Sequence, residues 1–322
     1  MKTNTFSESA QLIYQVATLY YLEGLSQVEI SSKLNLSRPK VSRLLSQARE
    51  NGIVTINIKM PENLEIQTLK TRIVERFNLR EVQVTPCIHE DMNQRLNHAA
   101  ALAAPFFQNL IKDGDTIGIS WGNTLHVISK YLQPTTMSPQ TSLYQIVGNL
   151  DNGDANTHSS EILKNTSDAL GLIYSNSLPC PVIMESSIIV DLLLHDNKLS
   201  SLMAMVNKPD IAFPGIGVLS PESCLYKTNY IDDKYIDDLR QMKAVGNICC
   251  RFIDIDGNIV DNNLNNRTIA IQLESLKKAR YSCVCIANEE KIPVLIGSIK
   301  AGYVNALSID SKAAVSLLAY NE

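Results

Sequence analysis

The sequence predicts two modules, an N-terminal winged helix-turn-helix and a C-terminal α/β domain with a largely parallel sheet. Three observations predict it. Residues 1–60 read as helix, helix, turn, helix and strand. Residues 61–322 instead alternate short apolar strands with amphipathic helices, the pattern of a parallel sheet flanked by helices. Charge divides at the same place: the formal charge of the 322 residues is -4, yet residues 1–60 hold seven Lys/Arg against four acids, and the rest hold 22 against 29. A small basic module on a larger acidic body suits a polyanionic partner for the first and a separate task for the second.

In the first module, Leu12, Ile13, Val16, Ala17, Leu19 and Tyr20 repeat at helical spacing, and Gly24 suits the turn that follows. Ser26-x-x-Glu29 is a capping box that opens a second helix, with Ile30 and Leu34 on its buried side. Asn35-Leu36-Ser37 reads as a turn, and Ser37 stands where it would cap a third helix. Pro39 falls in that helix's first turn, where its missing N–H costs nothing. Val41, Leu44, Leu45 and Ala48 face inward, and Asn51-Gly52 ends the helix. Val54, Ile56 and Ile58 then alternate with Thr55, Asn57 and Lys59, the pattern of a wing strand over 53–59.

A third helix in this arrangement enters the major groove of double-stranded DNA by its N-terminal end. Ser37, Arg38, Lys40, Ser42 and Arg43 sit at that end, and Gln27 opens the helix before it. Arginine pairs bidentately with guanine, while lysine and serine mostly hold phosphates. A merely solvated basic face would not explain why a capped helix, a short turn and a strand surround it. One module with a net charge of +3 binds weakly, so a dimer on two half-sites of an operator is expected.

Pro61 and the "ENLE" that follows mark the boundary. Residues 62–78 form an amphipathic helix with Leu64, Leu69, Ile73, Val74 and Phe77 in its stripe. "EVQVTPC", "DTIGIS", "TSLYQIVGN", "PDIAFPGIG", "SCVCIAN" and "NALSI" read as strands, and "HAAALAAPFFQNLI" and "TLHVISKYL" as helices. "CCRFIDIDGNIVD" reads as a hairpin turning at Asp256-Gly257. In open α/β sheets ligands bind beyond the carboxyl ends of the strands. There, "GDTIGISWGNTLHVI" (114–128) ends a strand at Ser120, turns through glycine and starts a helix near Thr124. Such a turn offers backbone N–H groups to an anion. Ser120, Asn123 and Thr124 add side-chain donors, so a phosphate or a set of sugar hydroxyls would suit it. Other strand ends supply Gly148 and Asn149, Gly217 and Ser220, Asp254, and Glu289-Glu290-Lys291; each alone reads equally well as a solvated loop.

Gly118, Ser120 and Gly122 also match the G-x-S-x-G elbow of α/β-hydrolases. A triad would need a later histidine, and the last one is His195, which leaves 127 residues without any. The five histidines form no H-x-x-x-H, and the seven cysteines form no C-x-x-C, so neither a zinc site nor another cofactor is expected. An odd number of cysteines in apolar surroundings, an N-terminus "MKTNTFSESAQ" without an apolar core and the lack of any run of about 18 apolar residues predict a cytoplasmic protein without a membrane partner.

The residues that carry these signals resemble a known family. "LYYLEGLSQVEISSKLNLSRPKVSRLLSQARENGIVTINI", "GDTIGISWG", "GIG", "AVGNICCRFIDIDGNIVD", "ARYS", "EEK" and "GYVNALSID" occur in the order seen in the SorC family of bacterial sugar-responsive transcriptional regulators. Coverage runs from about residue 10 to the C-terminus, and "EEK" with "ARYS" is most similar to the sorbose-type branch. The resemblance implies a winged helix-turn-helix on an effector domain related to sugar-phosphate isomerases of the glucosamine-6-phosphate deaminase and ribose-5-phosphate isomerase type. It also implies a tetramer built as a dimer of dimers and a sugar, polyol or sugar phosphate effector, such as a hexose, a hexitol or their phosphate. By match to the family pattern, Ser120, Trp121, Gly122, Asn123 and Thr124 would hold the phosphate or a polar end, and Asp254 and Lys291 would contact ligand. The chain departs from that pattern at Gly148-Asn149, at Ile286-Ala287-Asn288 and at Leu307-Ser308-Ile309-Asp310. The expected role is regulation of a carbohydrate or polyol operon, without catalysis. The rival is an isomerase- or deaminase-type enzyme with a DNA-binding appendage, whose base would be Asp254 or Glu290.

Overall fold

A computed structural model describes residues 8–54, 64–150 and 157–320. The chain divides into two compact units, Met1–Glu62 and Asn63–Glu322. The wing strand expected over 53–59 lies, beyond Val54, outside the described residues, as does Pro61.

The first unit holds α1 (Glu8–Tyr21), α2 (Gln27–Leu34) and α3 (Arg38–Glu50). Its core comprises Ile13, Val16, Ala17 and Leu19 from α1, Ile30 from α2, and Val41, Leu44, Leu45 and Ala48 from α3. These are the stripes that helical spacing picks out. The turn after α1 places Gly24 at φ +71°. Both arms of the capping box are made: Ser26 Oγ accepts from the Glu29 N–H, and the Ser26 N–H donates to Glu29 Oε2 at 2.7 Å. Asn35, left-handed at φ 53°, ends α2. Ser37 departs from expectation. Its backbone is extended, as an N-cap residue's is, but its hydroxyl makes no capping bond. Pro39 and the turn conformation start α3 without it.

The second unit begins with α4 (Leu64–Phe77), β1 (Glu81–Thr85), α5 (Met92–Gln108), β2 (Thr116–Ile119), α6 (Asn123–Ser129), β3 (Ser142–Gln145), α7 (Ser159–Leu170) and β4 (Tyr174–Asn176). Then come α8 (Ser187–Leu194), α9 (Asn197–Val206), β5 (Ile211–Phe213), β6 (Ile216–Gly217), α10 (Cys224–Lys227), α11 (Asp233–Gln241), β7 (Gly246–Ile248) and β8 (Arg251–Ile253). The chain finishes with α12 (Asn262–Asn266), α13 (Leu273–Lys278), β9 (Tyr281–Ile286), a 3-10 turn (Glu289–Lys291), α14 (Ile292–Lys300), β10 (Ala306–Asp310) and α15 (Ser311–Ala319).

Seven strands form one parallel sheet in the order β1-β10-β9-β5-β2-β3-β4, with Gly118 opposite both Tyr144 and Ala212, and Ala212 opposite Ser282. Strands covered on both faces need apolar residues at every position, which is why β5 and most of β9 are continuous buried runs. After β2 the chain proceeds to β3 on one side, and β5 leads by way of the small sheet to β9 on the other. The carboxyl ends of β2 and β5 therefore flank a topological switch point, where such sheets leave a crevice.

Beside it β6, β7 and β8 form an antiparallel sheet. The hairpin expected at Asp256-Gly257 is present, but a second one that the sequence did not announce precedes it. β7 turns into β8 at Cys249-Cys250, both left-handed at φ 49° and 63°. Two-residue hairpins favour such a turn because its twist matches the strands, but it is normally signalled by Asn-Gly. A pair of buried cysteines gives no such signal. The turn at Asp256-Gly257 also exists, closed by a single bridge between Ile253 and Ile259. A Cβ on Gly257, at φ +83°, would stand 2.4 Å from Ala301 Cβ.

Candidate functional site

A cavity of about 220 Å³ opens at the switch point. The loop after β2 supplies Ser120 to Leu125, and the loop after β5 supplies Pro214 to Val218. β9 and the turn beyond it add Val284, Cys285 and Lys291. The β7–β8 hairpin adds Asn247, Cys249 and Cys250, and the start of α10 adds Ser223, Cys224 and Leu225.

The β2 loop is held from behind. The buried Trp121 donates its indole N–H to the Gly148 carbonyl at 2.8 Å. The Gly122 N–H donates to the Thr157 carbonyl at 3.0 Å, and the Ser120 N–H to that of Phe213 at 3.0 Å. Gly122 sits at φ +121°, which side chains rarely adopt. At Gly215 a Cβ would meet Ser120 Oγ at 3.1 Å, and at Gly217 one would meet the Asn247 amide at 2.5 Å. Glycine at these two positions lets the loops close around the space. Asn123, Thr124 and Leu125 line the cavity, and their N–H groups precede the first helical bond of α6, from the His126 N–H to the Gly122 carbonyl.

Lys291 is the cavity's cation. Its Nζ lies 3.5 Å from Thr124 Oγ1, and no carboxylate among the described residues pairs with it. Burial pushes its pKa down, against the opposing influence of Cys285 and Cys224. Four thiols, Cys224, Cys249, Cys250 and Cys285, also line the cavity. Burial pushes Cys249 and Cys285 up to about 12 and raises Cys250 and Cys224, so at neutral pH all four are protonated and behave as small apolar groups. Glu222, the cavity's one carboxylate among the described residues, is exposed and bonded to Lys227 at 2.6 Å. The space thus offers hydroxyls and amides from Ser120, Asn123, Thr124, Ser223 and Asn247, one ammonium group and an apolar wall. That suits a small polyhydroxylated molecule with an anionic end.

In the first unit, Ser37, Arg38, Lys40, Ser42 and Arg43 are exposed on the leading turns of α3, and Gln27 is half-buried. None of the three cations has an ion-pair partner among the described residues, whereas Lys33 of α2 pairs with Glu23.

Residues 62–319 match a family model described as "Putative sugar-binding domain". The full-length crystal structure of the sorbitol operon regulator SorC from Klebsiella pneumoniae superposes with a TM-score of 0.73 at 27% identity, over 97% of this chain and all of that one. The chain belongs to the SorC family of sugar-binding transcriptional regulators. It is also similar to the deoxyribonucleoside regulator of Bacillus subtilis, 30% identical over 97% of this chain and 98% of the relative. Transcriptional regulator LsrR of Escherichia coli K12 is 29% identical over 95% and 94%.

In this SorC-family chain the fold brings seven of the residues read from strand ends and family motifs to one cavity: Ser120, Trp121, Gly122, Asn123, Thr124, Gly217 and Lys291. It does not bring the other four. Gly148 lies behind Trp121, where a Cβ would strike the 180–182 backbone at 2.8 Å. Asn149 is used by the scaffold: its amide donates to Leu178, and its side-chain oxygen accepts from Gln145 and Ser159. Ser220 accepts from the Glu222 N–H in a local turn. Asp254 accepts from the N–H groups of Asp256 and Asn258 and from the Asn258 amide. Burial works against that charge, but these donors outweigh it and hold the carboxyl below its ordinary range.

The departures from the family pattern have structural uses as well. Asn288 caps the 3-10 turn by accepting from the Glu290 N–H. Asp310 accepts from the Ala313 N–H at the start of α15 and pairs with buried Arg95 at 2.7 Å. Arg95 also holds Glu289 at 3.1 Å, so Glu289 is committed to the scaffold and Lys291 reaches the cavity. The sequence did not reveal Asn247, Cys224, Cys249 and Cys250 as lining residues. They arrive from the small sheet and α10, and only the odd "ICC" beside "GIG" could have hinted at a special turn.

Proposed function

We propose that this SorC-family protein is a cytoplasmic regulator of a sugar or polyol operon. Residues 1–60 would bind operator DNA through α3, and residues 61–322 would bind the effector and assemble the chain into a dimer of dimers. The observation that carries the reading is Lys291, a cation without a carboxylate partner among the described residues, placed among hydroxyl and amide donors at the switch point. A sugar with a phosphate or carboxylate supplies the missing anion. The lining thiols favour a ligand with an apolar stretch of carbon skeleton. That agrees more readily with a relative named for deoxyribonucleosides, whose sugar has a carbon without a hydroxyl, than with one named for sorbitol, which has a hydroxyl on every carbon.

The same inventory supports a reading of binding without turnover. No histidine lines the cavity among the described residues, its carboxylate is exposed and paired, and its thiols are protonated. Ser120 lacks the positive φ of a strained elbow. Binding without conversion is therefore expected.

For a ligand to control transcription it must bind one DNA-affinity state more tightly than another; equal affinity for both shifts nothing. The test is a thermal-shift panel of deoxypentose phosphates, hexitol phosphates and their unphosphorylated forms. A ligand at 100 times its Kd stabilises by about 2.7 kcal/mol. The hit is then titrated into free and operator-bound protein. A difference in affinity is expected, equal affinity removes the regulatory coupling, and chemical conversion of the sugar restores the enzyme reading.

A further inference from the structure

Outside the cavity, three side chains that the effector reading does not use converge. His126 lies buried on α6, His158 precedes α7, and Glu161 is exposed on the first turn of α7. We propose that His126, His158 and Glu161 form a binding site for a divalent transition-metal ion of the zinc class. Their ligand atoms all lie within 4.8 Å of one another. His126 Nε2 is 2.7 Å from Glu161 Oε2, and His158 Nδ1 is 3.6 Å from the same oxygen. Metal–ligand bonds of about 2.0–2.2 Å place tetrahedral donors roughly 3.3–3.5 Å apart. One separation is already close to that value. The 2.7 Å separation needs Glu161 to withdraw by less than about 1 Å, its side chain is 63% exposed and at the surface, and the third separation, between the two ring nitrogens, is within 4.8 Å.

The rings are adjacent but not yet aimed at one point: nearly parallel planes set their in-plane lone pairs side by side, so one ring must turn for both to share an ion. They stack with centroids 3.5 Å apart and planes 12° from parallel. His158 holds a left-handed backbone at φ 54°, a conformation that a non-glycine residue keeps only where its surroundings impose it. The His158 ring lies against His126 next to the carboxylate. Two imidazoles and a carboxylate suit Zn²⁺ and similar borderline cations, and a fourth position stays open for water. Lys130 acts electrostatically on both His126 and Glu161 and is the charge an entering cation must overcome.

The site would clamp two elements that also hold the cavity loop. α6 continues directly from Ser120 to Thr124, and Thr157, next to His158, accepts the Gly122 N–H. The proposal does not depend on the identity of the effector, because its readout is the metal itself.

The test uses untagged full-length protein freed of metal with a chelator and titrated with Co²⁺, whose visible absorption reports nitrogen and oxygen coordination, followed by Zn²⁺ competition. One Co²⁺ per chain, displaced by Zn²⁺, is expected. Glu161→Gln and His158→Ala should each weaken binding at least about tenfold, with far-ultraviolet circular dichroism unchanged. Glu161→Gln is a surface change that leaves the fold intact if His158→Ala does not. His98→Ala, in the other close histidine pair, whose ring centroids are 5.8 Å apart, should bind as the parent does. No saturable binding, or binding that both site variants leave intact, overturns the proposal.

Discussion

The cations of the two units live in opposite circumstances. On α3, Arg38, Lys40 and Arg43 are exposed and unpaired among the described residues. In the α/β body, Arg95 is buried between Asp310 and Glu289, Arg280 forks onto Asp115 at 2.5 and 3.0 Å, and Arg251 donates to the carbonyls of Ala270 and Ile271. An arginine satisfied inside the protein fixes its fold; one left in solvent costs little and remains available to a polyanion. Lys291 stands between these cases, half-buried and without a counter-ion among the described residues. This contrast separates residues that hold the molecule together from residues that wait for a partner.

The strongest way to test the contrast is to remove a satisfied cation. Arg95→Ala leaves Asp310 buried without its partner and should destabilise the body by about 3–5 kcal/mol, read from urea denaturation. Lys291→Met should do the opposite to stability and the worst to ligand binding. Affinity for an anionic sugar should drop by on the order of tenfold to a hundredfold, the loss of about 1.5–3 kcal/mol for a charged hydrogen bond. Because folding lowers the Lys291 pKa, the unfolded chain holds that proton more tightly. The charge therefore destabilises the parent protein below the lowered value. The penalty fades as pH rises from there towards the unfolded value of about 10.4. Stability curves of parent and Lys291→Met should converge over that interval; parallel curves would contradict the burial of the ammonium group.

Arg43→Ala should leave stability within about 0.5 kcal/mol. Operator affinity should fall by about 1–3 kcal/mol, with sequence preference relaxed if the contact is to a base. Unchanged gel retardation would end the assignment of α3 to the groove. Asp254→Ala should cost about 1 kcal/mol of stability yet leave effector affinity as it is, because its acceptor sites serve the turn. A loss of binding would put Asp254 back at the ligand. The smallest effects compare two serines: Ser26→Ala should cost about 1 kcal/mol through its capping box, whereas Ser37→Ala, whose hydroxyl caps nothing, should cost little and affect only DNA binding.

Much of this was legible because periodicity and caps are local. The stripes of α1 and α3, the Ser26–Glu29 box and the strands that became β1, β2, β5, β9 and β10 follow from neighbours a few residues apart. The loop after β2 was legible for the same reason, with its glycine, hydroxyls and following helix within five residues. The turn at Cys249-Cys250 was not, because no turn-forming residue announces it and burial imposes it. The destinations of Gly148, Asn149 and Asp254 were not legible either. A polar residue at a strand end reads identically whether it meets a ligand or the backbone across the sheet. His126 and Glu161 are 35 residues apart, and no spacing rule relates them.

The sequence by itself determined that a basic three-helix module precedes an α/β body, because helix signals, alternation and charge are properties of short stretches. Tertiary structure alone decided which strand ends share a cavity, which cations are spent on carboxylates and which two histidines stack. Those outcomes depend on strand order and on which side of a switch point each loop emerges, and residues distant along the chain carry no record of that in their local pattern.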